Sequence, residues 1–442
     1  MNATQLALSA ILLTALVLQA LLPALRVLIV LCAAGLACLS STLLGVGTTH
    51  QIMAEVPWDV LILLVALGLL SDIFAHSRLF GLLALHAARW SGARPAAVLL
   101  AFAGAMYLVS GLVNNLTALM LVLPILLNLL KLMGVHQRYL SWTLGVVLVA
   151  CNLGGAATPI GDFPAILLLG SGRMTFAAYL VHAAPPTLFA LLILLGIVTL
   201  WIRPQRGIDR DPLSARLSVQ VMSKLYRNVR LDKRRFAPAA ALLLCLLVLW
   251  TIVPSSSGVT ADLLCWLGVG AVLLVNTHLG ERLLRRHVDM EAVLFLLALF
   301  VMVAAVRRTG MFASIARQLG ALPVSPSIQL VVFLCLAGIM TGIFSAGPSM
   351  AALLEVGHSL AQRLPPHAVY VGLALSVCAG SSLFLTAATS GPMAQALTER
   401  AELRGGDGEP LRFGFFEFLP AGLLSFSVIQ TVALSYAWWN VR

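Results

Sequence analysis

Apolar segments long enough to cross a membrane recur along the chain from Gln5 to Trp439. A helix needs about 20 predominantly apolar residues to cross about 30 Å of hydrocarbon. Hydrophobic residues make up 60% of the chain and charged residues 10%, against about 25% charged in soluble globular domains. We therefore predict an all-α polytopic integral membrane protein that contacts membrane lipid.

About ten segments have the length and apolarity of transmembrane helices. The first is not preceded by a basic segment or followed by a cleavage site of small residues, so we predict a span rather than a signal peptide. The predicted spans are residues 5–22, 25–44, 57–75, 141–170, 175–202, 237–253, 259–279, 290–306, 368–397 and 414–438.

Two further apolar stretches, 96–131 and 327–360, are too long for one span. Helix-breaking or polar residues interrupt each near its middle, at 110–115 and at 341–349. We predict that both are re-entrant hairpins, which enter and leave the membrane on the same side.

The basic residues support this topology. With the N-terminus outside and two hairpins, 22 of the 28 Lys and Arg residues fall on the inside, ten of them between Arg203 and Arg235. Positive charge favours the cytoplasmic side and anionic lipid there. We predict a bacterial inner-membrane protein with a cytoplasmic 203–236 loop. The net charge of +11 then reflects topology and not nucleic-acid binding.

An internal repeat divides the chain. Residues 58–67 match 290–299 at a shift of 232 residues, and the hairpin tips pair Gly111 with Gly342. Each half has three spans, a hairpin, a span broken by Gly, Ser or Thr, and a last span. The first half starts outside and the second inside, so we predict two inverted-topology repeats, 1–202 and 237–442, joined by the basic 203–236 linker.

The hairpin tips and broken spans are where we expect the chemistry. Non-helical backbone at membrane depth persists only where protein packs around it or where it lines a wet cavity. Half-helix N-termini present N–H groups to anions, whereas unwound carbonyls present oxygen to cations. A carboxylate at that depth is costly unless it is paired, coordinated or protonated, so Asp162 is the most informative single residue.

The stretches 114–125 and 152–165 resemble the ion transporter superfamily. The second, Asn-Leu-Gly-Gly-Ala-Ala-Thr-Pro-Ile-Gly-Asp-Phe-Pro-Ala, is similar to the family pattern Asn-(Leu/Ile)-Gly-Gly-x-Ala-Thr-x-Ile-Gly-Asp-Pro-Pro-Asn. This group includes D-type sodium/proton antiporters, arsenite permeases, citrate transporters and divalent anion/sodium symporters. The resemblance covers nearly the whole chain. It implies an inverted-repeat fold with a scaffold and a mobile transport portion, and often a homodimer.

The sequence departs from the antiporter pattern at both tips. Asn114 stands where antiporter and arsenite-permease relatives usually carry Asp, and Ser345-Ala346 replaces the Asp-Asn that they often repeat at the second tip. After Asp162, Phe163 and Ala165 replace Pro and Asn. Losing two carboxylates weakens electrogenic sodium/proton exchange and favours a neutral or anionic solute with sodium or proton coupling.

We therefore expect secondary active transport of a small ionic solute by alternating access, coupled to Na⁺ or H⁺. Sodium/proton antiport, anion permeation, and citrate, dicarboxylate or arsenite transport by symport all stay open. Asp162 is the candidate Na⁺ ligand. The other candidate ion-coupling residues are Asn152, Gly154, Thr158 and Glu355. The candidate solute-binding residues are Asn114, Asn115, Thr117, Ser345, Ser349, Ser381, Ser382 and Thr386.

Each candidate also has a structural interpretation. Asn114, Asn115 and Asp162 have side chains that cap helices well. Hydroxyls in membrane helices often bond only the carbonyl one turn earlier, and Glu355 has the length to extend to the outer face. These alternatives stay open at this stage.

Other function classes have less support. No GxxxxGK[ST] motif or HExxH ligand set occurs, which argues against ATP-driven pumping and a membrane-embedded enzyme. The seven cysteines form no CxxC or Cys/His cluster, so we expect free thiols and no cofactor. A non-transporting receptor with this fold is the remaining alternative.

Overall fold

The computed structural model describes residues 3–22, 25–206, 208, 212–226, 231–252, 259–275, 277–286, 290–388, 390–405 and 408–441. Within them the regular structure is helical, and an isolated bridge between Arg404 and Pro410 is the one extended pairing. The predicted all-α class is confirmed.

The first half and the linker contain eleven α-helices. Their bounds are α1 Ala3–Leu21, α2 Arg26–Leu43, α3 Thr49–Ala54, α4 Trp58–His76, α5 Leu79–Ser91, α6 Pro95–Ser110, α7 Asn115–Met133, α8 Gln137–Ala157, α9 Phe163–Gly170, α10 Phe176–Gly196 and, in the linker, α11 Pro212–Leu225. A π-helical segment, Ile197–Ile202, extends α10.

The second half has the same order of elements. Its helices are α12 Lys233–Ile252, α13 Ala261–Val275, α14 Thr277–Arg286, α15 Met290–Arg308, α16 Met311–Gly320, α17 Pro326–Phe344, α18 Ala346–Ala361, α19 Pro366–Ser381, α20 Gly391–Arg400 and α21 Phe415–Val441. Short helices precede and follow the third span of each half: α3 and α5 in the first, α14 and α16 in the second. These four were not predicted.

Eight of the described helices are long and apolar enough to cross a membrane: α2, α4, α7, α8, α10 with its π-helical extension, α15, α17 and α21. Shorter apolar helices, Thr4–Gln19, Arg235–Trp250, Ala261–Val275 and Pro366–Ser381, overlap the predicted spans 5–22, 237–253 and 259–279 and the first part of 368–397, of which residues 253 and 276 lie outside the described residues. The boundaries of the two-half division at residues 202 and 237 stay a prediction.

The first hairpin consists of α6 and α7 and begins and ends at one end of the bundle. At its start, Tyr139 Oη in the first turn of α8 donates to the Pro95 carbonyl (2.7 Å). At its close, Lys131 Nζ donates to the Ala401 carbonyl just past α20 (3.2 Å). The linker lies at this same end, where Arg138 donates to the Ile202 carbonyl (2.9 Å). We call it the linker end.

The second hairpin, α17 and α18, begins and ends at the opposite end. Gln329 at the start of α17 donates to the Gly320 carbonyl (3.2 Å), and His358 near the end of α18 contacts Arg173, which follows α9 (2.9 Å). The two hairpins thus enter from opposite ends, as the predicted inverted repeats require. The re-entrant hairpins and the two broken helices are confirmed.

The broken helices form the centre of the bundle. Nearly all of α8 is buried, and so are all residues of α19 from Ala368 to Ser381. In each half the first hairpin arm packs along the broken helix, α6 on α8 and α17 on α19. Glycines allow this approach, because a Cβ at Gly154 would collide with the Tyr107 carbonyl and one at Gly380 with the Gly338 carbonyl.

We expect Gly154→Ala to destabilise the protein by about 1–3 kcal/mol, because the added methyl forces α6 away from α8. Thermal unfolding in detergent should show a lower apparent Tm. Gly104→Ala in α6 is the matched control. A Cβ there meets open space, so the variant should unfold at or slightly above the wild-type temperature. Equal Tm values for the two variants would contradict the packing argument.

Candidate functional site

The first hairpin reverses at residues 111–114, and Asn114 caps the returning helix. Asn114 Oδ1 accepts from the Leu116 amide (2.9 Å), and the Asn114 amide donates to Ser71 Oγ (3.3 Å). The side chain is exposed, so its NH₂ group can reach a solute while its oxygen caps α7. Thr117, one turn into α7, is half-buried.

Asn115 points inward from the same turn. The Ser110 hydroxyl hydrogen bonds to Asn115 Oδ1 and lies 2.7 Å from the Cys151 carbonyl oxygen. The Asn115 side chain also lies beside Asp162, because a Cβ at Gly155 would collide with both residues. Asn115 thus links the hairpin tip to both sides of the first helix break.

The first break, residues 158–162, lies directly against this tip. Thr158 Oγ1 donates to the Gly111 carbonyl (2.6 Å) and accepts from the Ile160 amide (3.3 Å). A Cβ at Gly161 would collide with the Ser110 carbonyl and touch that of Gly155. Two carbonyl oxygens therefore lie against the backbone of Gly161, the residue before Asp162.

Asp162 is the N-cap of α9. Its Oδ1 accepts from the Phe163 amide (2.9 Å), which satisfies one free N–H of that helix. The half-buried carboxylate borders a narrow space lined by Ala156, Pro164, Ala165, Tyr179, Ala374 and Cys378. No cationic side chain pairs with it among the residues that the structure describes.

The second tip is built differently. Ser345 joins α17 to α18 with φ +70°, a left-handed conformation that is uncommon for residues other than glycine. Its half-buried side chain makes no cap bond to α18. Ser349, one turn later, is buried, and its hydroxyl has no hydrogen-bond partner within the described part of the chain.

The second break covers residues 382–388 and 390 of the described chain. Ser381 Oγ donates to the Cys378 carbonyl of its own helix (2.9 Å), which is the local bond that hydroxyls in membrane helices often make. Thr386 is exposed. Ser390 directly precedes α20, as Asp162 precedes α9, and its buried hydroxyl lacks a partner among the described residues.

One hydrogen bond joins the two broken helices. Asn152 in α8 donates from Nδ2 to Ser382 Oγ (3.1 Å), and both side chains are buried. This contact crosses from one half of the protein to the other. It brings two residues predicted from separate motifs into a single site.

Most predicted site residues of the first half therefore converge: Asn114, Asn115, Asn152, Gly154, Thr158 and Asp162. Glu355 does not join them, because it pairs with Arg307 (3.2 Å) near the end of the bundle opposite the linker. Sequence reasoning missed Ser110 and Ser390 as site residues. Ser110 had a usable signal, because it is the first residue of the polar interruption at 110–115, whereas Ser390 lies late in the predicted broken span 368–397.

No three His, Cys, Asp or Glu side chains converge within the described residues as transition-metal ligands would. The first break instead offers oxygen donors, the Asp162 carboxylate and the carbonyls against Gly161, and oxygen donors suit Na⁺ or a proton.

The fold has two inverted halves, with opposed re-entrant hairpins and with broken helices at its centre. This architecture defines a class of membrane transporters. Comparison with known proteins agrees. The sequence profile of the CitMHS family, described as citrate transporters, matches residues 8–380. The chain belongs to this family and is a membrane transporter of the ion transporter type.

Individual relatives are more distant. An uncharacterized transporter of Mycobacterium tuberculosis is 25% identical over 390 residues, 87% of each chain. Sodium/proton antiporter 1 of Arabidopsis thaliana is 25% identical over 258 residues, which cover 56% of this chain and 41% of the plant protein. The crystal structure of the Alcanivorax borkumensis YdaH transporter superposes with a TM-score of 0.57 at 16% identity, covering 99% of this chain and 98% of that one. The likeness to YdaH shows the fold.

A double-mutant cycle should reveal the Asn152–Ser382 bond between the two broken helices. Asn152→Ala and Ser382→Ala each lose it, so their effects on unfolding free energy should couple by about 1 kcal/mol. The control cycle pairs Asn152→Ala with Ser381→Ala, whose hydroxyl bonds its own helix. Those effects should add within about 0.5 kcal/mol. Coupling of equal size in both cycles would mean that the measured energy does not come from this bond.

Proposed function

We propose that this protein is a secondary active transporter that carries a small anion across the membrane by alternating access, coupled to Na⁺ or H⁺ at Asp162. The observation that carries the proposal is the position of this carboxylate. It lies in a helix break against a re-entrant tip, with no cationic side chain beside it among the described residues.

The charge around the tips and breaks supports a coupling role. Across residues 106–120, 150–166, 338–354 and 376–394, Asp162 is the only charged residue. Holding an unpaired carboxylate at membrane depth costs free energy, which a bound Na⁺ or proton removes. The group is thus suited to exchange a cation between the two sides of the membrane.

The solute site that we propose is formed by neutral polar groups at the two tips and the second break. Asn114, Thr117, Ser345 and Thr386 are exposed or half-buried there. Hydroxyl and amide donors at the starts of α7 and α18 suit a carboxylate, because helix N-termini favour negative charge. The family description as citrate transporters supports a small carboxylate anion.

Sodium/proton exchange is the second candidate. It is favoured by the absence of any basic residue in the four segments named above, because a lone carboxylate with amide and carbonyl neighbours suits cations alone. The similarity to the Arabidopsis antiporter points the same way. Under this alternative, Na⁺ and H⁺ would bind Asp162 in turn, and no anion would be carried.

The arrangement in the cell is also a proposal. Basic residues concentrate at the linker end, which we assign to the cytoplasmic face of the inner membrane. We propose a homodimer for the assembled transporter.

In proteoliposomes with an imposed Na⁺ or H⁺ gradient, we expect Asp162→Asn to lower gradient-driven citrate uptake at least about tenfold, because the amide cannot take up a cation. The control is Asp59→Asn in the first turn of α4, outside the two breaks. It should keep uptake within about twofold of wild type. Gradient-driven uptake unchanged in Asp162→Asn would refute the coupling role.

A thermal-shift comparison separates the two candidate functions. Purified protein should unfold at a higher temperature in Na⁺ than in choline, because a ligand that binds only the folded state stabilises it. The Na⁺ shift should be missing in Asp162→Asn. A further rise with citrate supports anion transport. A response to Na⁺ and pH with none to citrate, succinate, sulfate or arsenite would favour sodium/proton exchange instead.

A further inference from the structure

A cluster of charged side chains joins the second hairpin, α17 and α18, to α3 and α15 at the end of the bundle opposite the linker. We call this hairpin hairpin 2. We call this cluster the ionic latch and define it as Glu55, Arg307, Arg308 and Glu355. Glu55 is the C-cap of α3, the arginines end α15, and Glu355 lies in α18, the second arm of hairpin 2.

The Arg307 guanidinium lies between two carboxylates. Its Nε and Nη2 donate to Glu55 Oε2 (3.1 and 2.7 Å), and its Nη1 donates to Glu355 Oε1 (3.2 Å). The Arg307, Glu55 and Glu355 side chains are 37%, 26% and 22% exposed. Partial burial makes these contacts stronger than an ion pair in open water.

Arg308 is the third member of the latch that lies outside the hairpin. It pairs with Glu55 Oε1 (2.5 Å) and donates to Gln51 Oε1 (3.2 Å) and to the Val46 carbonyl (3.4 Å). Glu55, Arg307 and Arg308 therefore contact one another from α3 and α15, without any residue of the hairpin. These three carry one net positive charge, which Glu355 neutralises.

Glu355 connects this cluster to the hairpin tip. α18 runs without interruption from Ala346 at the tip, nine residues before Glu355, which is about 14 Å along a helix. One turn beyond Glu355, His358 contacts Arg173 at the end of the first broken helix (2.9 Å). A displacement of α18 relative to α15 therefore changes the distance between Arg307 and Glu355.

We propose that the Arg307–Glu355 ion pair separates and re-forms in every transport cycle, as a latch that holds hairpin 2 against α3 and α15. This rests on the proposed alternating access. When the pair opens, Arg307 keeps both bonds to Glu55, and the partly exposed Glu355 carboxylate can bind water in place of Arg307. Glu355 then acts on the position of the hairpin and not on the coupling ion.

A reversible cross-link tests this proposal. Arg307→Cys and Glu355→Cys are combined and treated in proteoliposomes with a short bis-methanethiosulfonate reagent. We expect cross-linking to reduce citrate or Na⁺ uptake at least tenfold, and dithiothreitol to restore it. Uptake that continues at the uncross-linked rate in fully cross-linked protein would overturn the latch.

Matched controls isolate the effect. Each single-cysteine variant, given the same reagent, reports on the native cysteines and should keep its uptake. Arg26→Cys with Glu291→Cys is the control pair. It replaces an ion pair of 3.1 Å between α2 and α15, outside both hairpins, so its cross-link should leave uptake unchanged. If wild-type protein shows no gradient-driven uptake, the result contradicts the proposed function. A contradiction of the latch would instead appear as uptake that cross-linking does not change.

Glu355→Gln gives a second test if the cysteine pair does not fold. This variant removes the ionic contact between Glu355 and Arg307. If Glu355 only positions the hairpin, the apparent Tm should fall while gradient-driven uptake and its Na⁺ or pH dependence persist. Loss of coupled uptake in a folded Glu355→Gln protein would assign Glu355 to ion coupling and overturn the positioning role.

Discussion

The need to satisfy backbone hydrogen bonds inside a membrane governs this structure. The chain interrupts its helices at two hairpin tips and two breaks, and in the first half the break supplies partners to the tip and to itself. Thr158 donates to the Gly111 carbonyl of the tip, and Asp162 accepts from the first amide of α9. Two of the residues that we propose as ion-coupling groups are thus the ones that make a broken helix tolerable there.

Close packing of the two interruptions depends on small residues. Gly154 and Gly380 occupy equivalent places in α8 and α19, each against a carbonyl of its hairpin arm. A side chain at either position would push the hairpin arm away from the broken helix. The inverted repeat therefore preserves one packing solution in both halves, although the polar residues at the tips differ.

Much of the fold could be predicted because span length, helix-breaking residues and basic charge are local properties of the sequence. The hairpins, both breaks and the convergence of Asn115 with Asp162 followed from such signals. The short helices α3, α5, α14 and α16 did not, because they have too few residues for a membrane span. The Asn152–Ser382 bond and the Arg307–Glu355 pair join residues 230 and 48 positions apart, and only the packing of helices shows which polar groups meet.

The buried bond between Asn152 and Ser382 has a consequence for how the two halves can move. Its donor lies in α8, six residues before the first break, and its acceptor is the first residue of the second break, so the bond ties the two broken helices to each other. A motion that parts these helices must break the bond and leave two buried polar groups without a partner.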